Sequence, residues 1–158
     1  FTVPQKADAE RVVRELLAYE PKSRGTDVAG ALAYLGRVLR RRAVVVLISD
    51  WIAEPFDRPL ALLAQRHEIV TIEVADPLED SLPDGGLILA RDLETGETRL
   101  VDLGAAPARH QWRGARARHR RMLSESFLRA RAGRIRVLCG SPVARELIRH
   151  FEQRARRR

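Results

Sequence analysis

Several features that would assign a sequence quickly to a chemical class are absent from this one. The single cysteine, Cys139, excludes an intrachain disulfide and a cysteine metal cluster, as expected in a reducing compartment. No apolar run approaches the roughly 20 residues that span a bilayer. Neither Gly-x-Gly-x-x-Gly nor a Gly-Lys-Ser/Thr phosphate loop occurs, and no Gly-x-Ser-x-Gly elbow exposes a nucleophilic serine. These absences predict that the chain is not an enzyme.

Length and composition are those of one globular domain. The chain has 158 residues, of which 45% are hydrophobic and 32% charged, enough to bury a core. It begins at Phe1 with neither a Met nor a signal-like segment, so we expect residues 1–158 to be one partial domain of a longer protein. Its two Trp, two Tyr and four Phe fall mostly in apolar stripes, whereas a dedicated single-strand binder needs exposed aromatics.

Positive charge is the strongest compositional bias. Lys and Arg total 29 against 21 Asp and Glu, a formal charge of +8, and nearly all of the basic residues are Arg. Such a balance permits nucleic acid, an acidic protein surface or the anionic inner leaflet of a membrane as a partner. A GC-rich genome that encodes basic residues as Arg would give the same composition, so charge alone does not choose among them.

Residues 43–51, AVVVLISDW, are the stretch around which the rest of the chain is organised. An unbroken apolar run rich in Val and Ile predicts a strand in the middle of a covered, mostly parallel sheet. A second run, residues 69–75, ends at Asp76 and Pro77. Ligands of such sheets bind beyond the carboxyl ends of the strands, where Asp50 and Asp76 would both lie.

The remaining patterns alternate helices with strands. Helical spacing predicts helices from a cap at Asp8 to about residue 18, from Thr26 or Asp27 to about residue 39, and over residues 60–67, 107–132 and 143–151. Two short runs, 87–90 and 98–101, predict a small β-hairpin, and residues 135–139 a third strand. The order predicts an α/β fold with right-handed crossovers. Ten arginines between Arg109 and Arg136 cover the longest helix and the start of the strand after it.

Oxygen ligands of the kind that hard cations accept occur at four positions near one predicted crevice: Thr26, Asp27, Asp50 and Asp76. A lone Asp at a strand end is more often a turn or helix-cap residue, so a metal site and a structural role both stay open. Cys139 is expected to be buried in its strand and unreactive. The histidines show no pairing motif and are expected to lie partly exposed on the surface: His67, His110, His119 and His150.

Short motifs along the chain, in their order and spacing, resemble one bacterial family. The first is Arg24-Gly25-Thr26-Asp27, followed by Ala31-Leu32, a basic turn and then VVVLISD. The others are AQRHEIV at 64–70, VADP at 74–77, LPDGGL at 82–87, ETGE at 94–97 and VD at 101–102. From about Val12 onward the chain resembles the von Willebrand factor A fold and, more narrowly, the bacterial domain-of-unknown-function 58 family.

The resemblance implies a three-layer, Rossmann-like fold that here lacks its N-terminal strands. It also implies Mg²⁺ or Mn²⁺ in a metal-ion-dependent adhesion site of the intact protein, where Thr26 would match the second-loop threonine and Asp50 the third-loop aspartate. Asp27 would neighbour that threonine, and Asp76 is a candidate for the rim. The Asp-x-Ser-x-Ser loop of such sites does not occur in this sequence. We therefore expect weak or no metal binding by residues 1–158 alone.

The same resemblance implies a non-enzymatic protein-interaction module, cytoplasmic or at the cytoplasmic face of a bacterial membrane, that works with a MoxR-type AAA+ ATPase. Contact with a membrane would need a segment outside these residues. Loss of a central strand would leave an unpaired edge open to self-association. The less favoured alternative is a basic nucleic-acid-binding domain that uses the Arg-rich helix 107–132, with affinity that falls steeply with salt.

Overall fold

The computed structural model describes residues 6–20, 25–53, 55–80, 82, 85–91 and 95–155, along which helices and strands alternate. In chain order the elements are α1 (Lys6–Ala18), α2 (Val28–Val38), β1 (Val44–Ser49), α3 (Asp57–Arg66), β2 (Glu68–Ala75), α4 (Pro77–Asp80), β3 (Leu87–Arg91), β4 (Thr98–Asp102), α5 (Ala106–Arg129), β5 (Gly133–Leu138) and α6 (Val143–Ala155). Of the sequence motifs, Arg24, Glu94 and the turn residues Pro83 and Asp84 lie outside the described residues.

The strands β1, β2 and β5 form a parallel sheet with β2 in the middle. Val46 lies opposite Val70 between β1 and β2, and Ile72 lies opposite Ile135 between β2 and β5. The strands β3 and β4 pair antiparallel in a separate two-stranded sheet. The predicted α/β class, with a mostly parallel sheet and a small hairpin, is confirmed.

Helices pack on both faces of this sheet because successive side chains of a strand point to opposite faces. One face packs against α2, α3 and the end of α5, and its buried core consists of Leu32, Val45, Trp51, Phe56, Leu60, Leu63, Ile69, Leu123, Phe127 and Ala130. The other face packs against Leu147 of α6, and its buried core consists of Val70, Ile72, Ile135 and Val137. The result is a helix–sheet–helix arrangement in three layers.

The position of β1 differs from the prediction of a central, covered strand. It pairs with β2 on one flank only, and the described elements that precede it are helices, so none of them supplies a strand for the other flank. Its side chains alternate between the core and solvent: Val45 is buried, whereas Val44, Val46 and Ile48 are 58%, 47% and 66% exposed. Within the described residues, β1 thus has an exposed apolar face and an edge with no strand beside it, an arrangement that favours pairing with a further strand.

Two of the predicted helices differ from their patterns. Helix α1 begins at Lys6, so Asp8 lies inside it and not at its cap. Its apolar stripe contacts no core, because the side chains of Val12, Val13, Leu16 and Leu17 are all exposed. Along α5 the buried residues are confined to the carboxyl-terminal third of the helix: Leu123, Ser126 and Phe127. The first two turns of α5 instead contact α4 through Trp112, whose indole Nε1 donates to the Glu79 carbonyl at 2.9 Å.

The turn after α5 leads directly into β5. The chain leaves the helix through Arg131, which has a positive φ of 52°, and Gly133 is the first residue of β5. The Ala132 amide donates to the Phe127 carbonyl at 2.9 Å, which closes the helix end. Cys139 follows β5 and is exposed, whereas the pattern predicted a buried residue.

Candidate functional site at the carboxyl edge of the sheet

Asp50 lies directly after β1, at the edge where the parallel strands end. Its side chain is exposed, and Oδ1 accepts a hydrogen bond from the Ile52 amide at 3.1 Å and one from the Ser49 hydroxyl at 3.3 Å. The Ser49 hydroxyl oxygen in turn accepts from the Trp51 amide at 3.0 Å. These bonds turn the chain sharply and present the Asp50 carboxylate to solvent, because the other carboxylate oxygen has no partner among the described residues.

Trp51 anchors this loop. It has a positive φ of 62°, which is a true outlier for a bulky side chain and costs on the order of 1–3 kcal/mol. Its indole is only 1% exposed, and its Nε1 donates to the Ile72 carbonyl at 3.3 Å. The ring lies 5.1 Å from Phe56 and 4.9 Å from Phe127, between centroids. Burial of the indole thus offsets the strain and fixes the position of Asp50.

Asp76 occupies the equivalent position at the end of β2. Its Oδ1 accepts a hydrogen bond from the Leu78 amide at 2.8 Å and so caps the short helix α4. Helix α4 is tied to α5 by an ion pair between Glu79 and the Arg116 guanidinium. The predicted rim candidate is therefore an exposed carboxylate at the same edge as Asp50, with a clear structural role of its own.

The predicted second loop lies before α2. Asp27 is its N-cap and accepts a hydrogen bond from the Gly30 amide at 2.7 Å, as its sequence position predicted. Thr26 is exposed. Because the short link 39–43 joins the end of α2 to the start of β1, α2 begins near the carboxyl edge of the sheet. The topology therefore places the start of α2, with Thr26 and Asp27, toward the edge at which Asp50 and Asp76 lie, and a shared site of the four residues stays a prediction.

These residues do not by themselves make a metal site. Within the described ranges, no group of three or more His, Cys, Asp or Glu side chains is arranged to hold a metal ion. Asp27, Asp50 and Asp76 each accept a hydrogen bond from a backbone amide close by in the chain. A hard cation needs about six oxygen ligands, so the described side chains supply only part of such a set.

A buried ion cluster lies on the sheet below this edge. Glu73 of β2 is 3% exposed, and its two carboxylate oxygens accept from Arg134 at 2.7 Å and from Arg136 at 3.2 Å, both on β5. The register places Glu73 directly opposite Arg136. Arg134 also lies over the Phe127 ring, 5.8 Å from its centroid. Two partly exposed guanidinium groups thus neutralise one carboxylate inside the core.

His119 of α5 interacts electrostatically with both the ion cluster and the carboxyl edge. Burial lowers the pKa of His119 below its ordinary value of 6.5, and the positive charge of Arg116 lowers it further. The carboxylates of Glu73, Glu79 and Asp50 act in the opposite direction, so all of these groups lie within electrostatic range of the ring. The edge therefore combines exposed carboxylates with a histidine biased toward its neutral form.

Residues 3–122 match the family described as Protein of unknown function DUF58. The chain belongs to this family. The family resemblance read from the motifs is therefore confirmed, and the DUF58 match includes the loops that carry Thr26, Asp27, Asp50 and Asp76.

Mycobacterial proteins are among the relatives of this DUF58 chain. An uncharacterized protein of Mycobacterium avium is 38% identical over 118 residues, which cover 74% of this chain and 64% of that protein. Uncharacterized proteins of Mycobacterium tuberculosis and Mycobacterium bovis are 41% identical over 96 residues, 60% of this chain and 30% of theirs. The chain thus spans less than two thirds of these relatives. No solved structure matches it significantly.

Several residues at or near the carboxyl edge of this DUF58 domain were not among the predicted site residues. Glu73 interrupts an apolar strand, and Arg134 and Arg136 alternate with apolar residues on β5, which together were a readable sign of a cross-strand ion cluster. The strained backbone of Trp51 has no sequence signature. Within the described part of the chain, no helix combines the length and the apolar character needed to cross a bilayer.

Proposed function

We propose that this DUF58 domain is a non-enzymatic protein-interaction module whose partner docks at the carboxyl edge of the sheet. In the longer protein, Thr26 and Asp50 would contribute oxygen ligands to Mg²⁺ or Mn²⁺ there, and the partner would be a MoxR-type AAA+ ATPase. Asp27 would support the loop, and Asp76 would lie on the rim of the contact.

The observation that carries this proposal is the construction of the Asp50 loop. An exposed carboxylate is attached to a strained and fully buried tryptophan, so the loop is rigid where recognition needs rigidity. Preorganised groups lose little entropy when a partner binds. A simple turn after a strand would not need a buried aromatic anchor in a disfavoured backbone conformation.

The test is binding of the full-length protein to a MoxR-type ATPase, measured by calorimetry with Mg²⁺ and with EDTA. We expect Asp50→Ala to weaken binding about tenfold or more and to abolish its dependence on Mg²⁺. Asp76→Ala should have a smaller effect, as expected of a rim residue. Unchanged affinity of Asp50→Ala, with and without Mg²⁺, would remove both the carboxylate and the metal from the mechanism.

Asp102→Ala is the matched control. Asp102 is also exposed, ends a strand, and accepts a hydrogen bond from a nearby amide, that of Gly104 at 2.8 Å, but it belongs to the separate hairpin. The two substitutions therefore remove the same kind of local contact and the same charge. Equal losses from Asp50→Ala and Asp102→Ala would show that general charge or turn stability, and not the carboxyl edge, governs binding.

Nucleic-acid binding through α5 is the second candidate. The exposed arginines Arg113, Arg118 and Arg121 lie along this helix, and Trp112 beside them is 39% exposed. The indole of Trp112 is already bonded to the Glu79 carbonyl, which argues against free stacking with a base. Affinity for a DNA oligonucleotide that falls steeply between 50 and 200 mM salt would favour this candidate. No binding at low salt would exclude it.

A further inference from the structure

A large cavity opens at the opposite end of the sheet, where the strands begin. It has a volume of about 1030 Å³ and is bounded by the starts of β2 and β5, by α3, by the turn after α5 and by α6. Pockets for small molecules commonly enclose about 300–1,000 Å³. The cavity is therefore large enough for a ligand the size of a nucleotide, and it is separated by the length of the strands from Asp50.

The wall of this cavity is strongly basic. It contains one acidic residue, Glu68, and six basic ones: Arg42, His67, Arg129, Arg131, Arg134 and His150. Two of the arginines are already paired, Arg129 with Asp57 at 2.8 Å and Arg134 with Glu73 at 2.7 Å. Arg42 and Arg131 have no acidic partner within the described residues. The cavity thus keeps uncompensated positive charge, which favours an anion.

His67 adds a buried donor to the same wall. It is 5% exposed, and its Nδ1 accepts a hydrogen bond from the Ala43 amide at 3.3 Å. Because Nδ1 accepts this bond, Nε2 is the ring nitrogen left to donate one. That Nε2 is buried without a partner in the described structure, and so is Nε2 of His150. Unsatisfied buried groups are costly, and oxygen acceptors would satisfy such donors.

Arg131 occupies a position that normally belongs to glycine. Its φ of 52° is the left-handed conformation of a residue that ends a helix, and a side chain there is disfavoured by contact between Cβ and the backbone. Glycine would adopt this conformation without strain. Arg131 thus combines a strained backbone, no acidic partner within the described residues and a place in the wall of a basic cavity, and these together favour an anionic ligand for its guanidinium.

We propose that this cavity binds a phosphorylated small molecule of nucleotide size, with Arg131 and Arg42 contacting its phosphate oxygens. Guanidinium groups match phosphate through paired N–H donors, and the small apolar residues of the wall, such as Ala64 and Ala132, leave room for an uncharged part of the ligand. This site is independent of the proposed contact at the carboxyl edge, so either can fail without the other.

The test uses calorimetry on the chain with ADP and with inorganic pyrophosphate as probes. Arg131→Gly should weaken the binding of both about tenfold, because one charge-assisted contact is lost. Its midpoint of urea unfolding should stay equal to that of the parent or rise, because glycine relieves the strain. A folding defect therefore cannot explain the loss. Arg42→Gln, on another element of the wall, should weaken binding similarly.

Arg14→Gln is the control for general electrostatics, because Arg14 is exposed on α1 and does not line the cavity. Affinity unchanged in Arg14→Gln but weakened in Arg131→Gly supports the site. Equal weakening in both would overturn it, as would the absence of binding of either probe at millimolar concentration. Binding of ADP that is unaffected by pyrophosphate would also overturn it, since both probes must use the same phosphate contacts.

Discussion

Trp51 offers a sharp test of the strain assigned to the Asp50 loop. Replacing a buried aromatic residue by alanine typically costs about 3–5 kcal/mol, and Trp51→Ala should fall in this range because the indole is 1% exposed and contacts two rings. At an ordinary backbone position, glycine is less stable than alanine by about 0.5–1 kcal/mol. At a φ of 62° the order should invert, because alanine pays a left-handed penalty of roughly 1–2 kcal/mol that glycine does not.

The prediction is therefore that Trp51→Gly is more stable than Trp51→Ala, by about 1 kcal/mol, although it removes more atoms. Phe127 supplies the matched pair. It belongs to the same aromatic cluster and is 1% exposed, but it lies inside helix α5, so Phe127→Gly should be less stable than Phe127→Ala by about 1 kcal/mol. Urea unfolding followed by circular dichroism measures all four variants. A Trp51→Gly variant less stable than Trp51→Ala would refute the claim that the loop is strained.

Three further predictions concern stability and association. Glu73→Gln should destabilise the fold by about 2–4 kcal/mol in urea unfolding, because it leaves two guanidinium groups without their buried counter-charge, whereas Glu97→Gln at the exposed hairpin pair should have no measurable effect. The hydrogen bond from Ser126, and after it the one from Arg129, lowers the pKa of Asp57 below its ordinary value of 3.8. The ionised Asp57 carboxylate therefore stabilises the fold fully above pH 3.8, and this stabilisation is lost as the pH falls through the lowered pKa. Asp57→Asn should therefore flatten the acid limb of a stability–pH profile, and an unchanged limb would contradict this. Val46→Lys on the exposed face of β1 should reduce any self-association in sedimentation velocity, and an unchanged mass distribution would show that this face is not involved.

Much of the fold could be predicted because its determinants are local. The apolar runs that form β1 and β2 end at Ser49-Asp50 and Asp76-Pro77. The residues between the two runs have helical spacing, which predicts a helical crossover and therefore parallel strands. The cap of α2 was predicted at Thr26 or Asp27 from residue type and position, and it is Asp27. For the same reason, the shared edge at which Asp50 and Asp76 lie could be predicted, since parallel strands end at one side of a sheet.

The parts that escaped prediction depend on contacts between distant segments. The burial of His67 requires the amide of Ala43 as its partner, and the charge of Glu73 requires two residues about 60 positions later. The position of β1 in the sheet depends on which other strands are present beside it, and the apolar sequence of β1 itself carries no information about them. The left-handed backbone of Arg131 could not be predicted either, because the sequence offers Gly133, two positions later, as the more usual residue for a left-handed helix end.

The strand β5 has a practical consequence for anyone who divides this protein by its family boundaries. The family match stops at residue 122, in the middle of α5, yet the third strand of the sheet and Leu123, Phe127 and Ala130 of the core all follow it. A fragment cut at residue 122 would leave β2 without β5 on one flank and Glu73 without either arginine. The region matched by the family model is thus shorter than the region whose contacts hold the described sheet together, so an expressed fragment should extend at least through β5 and α6.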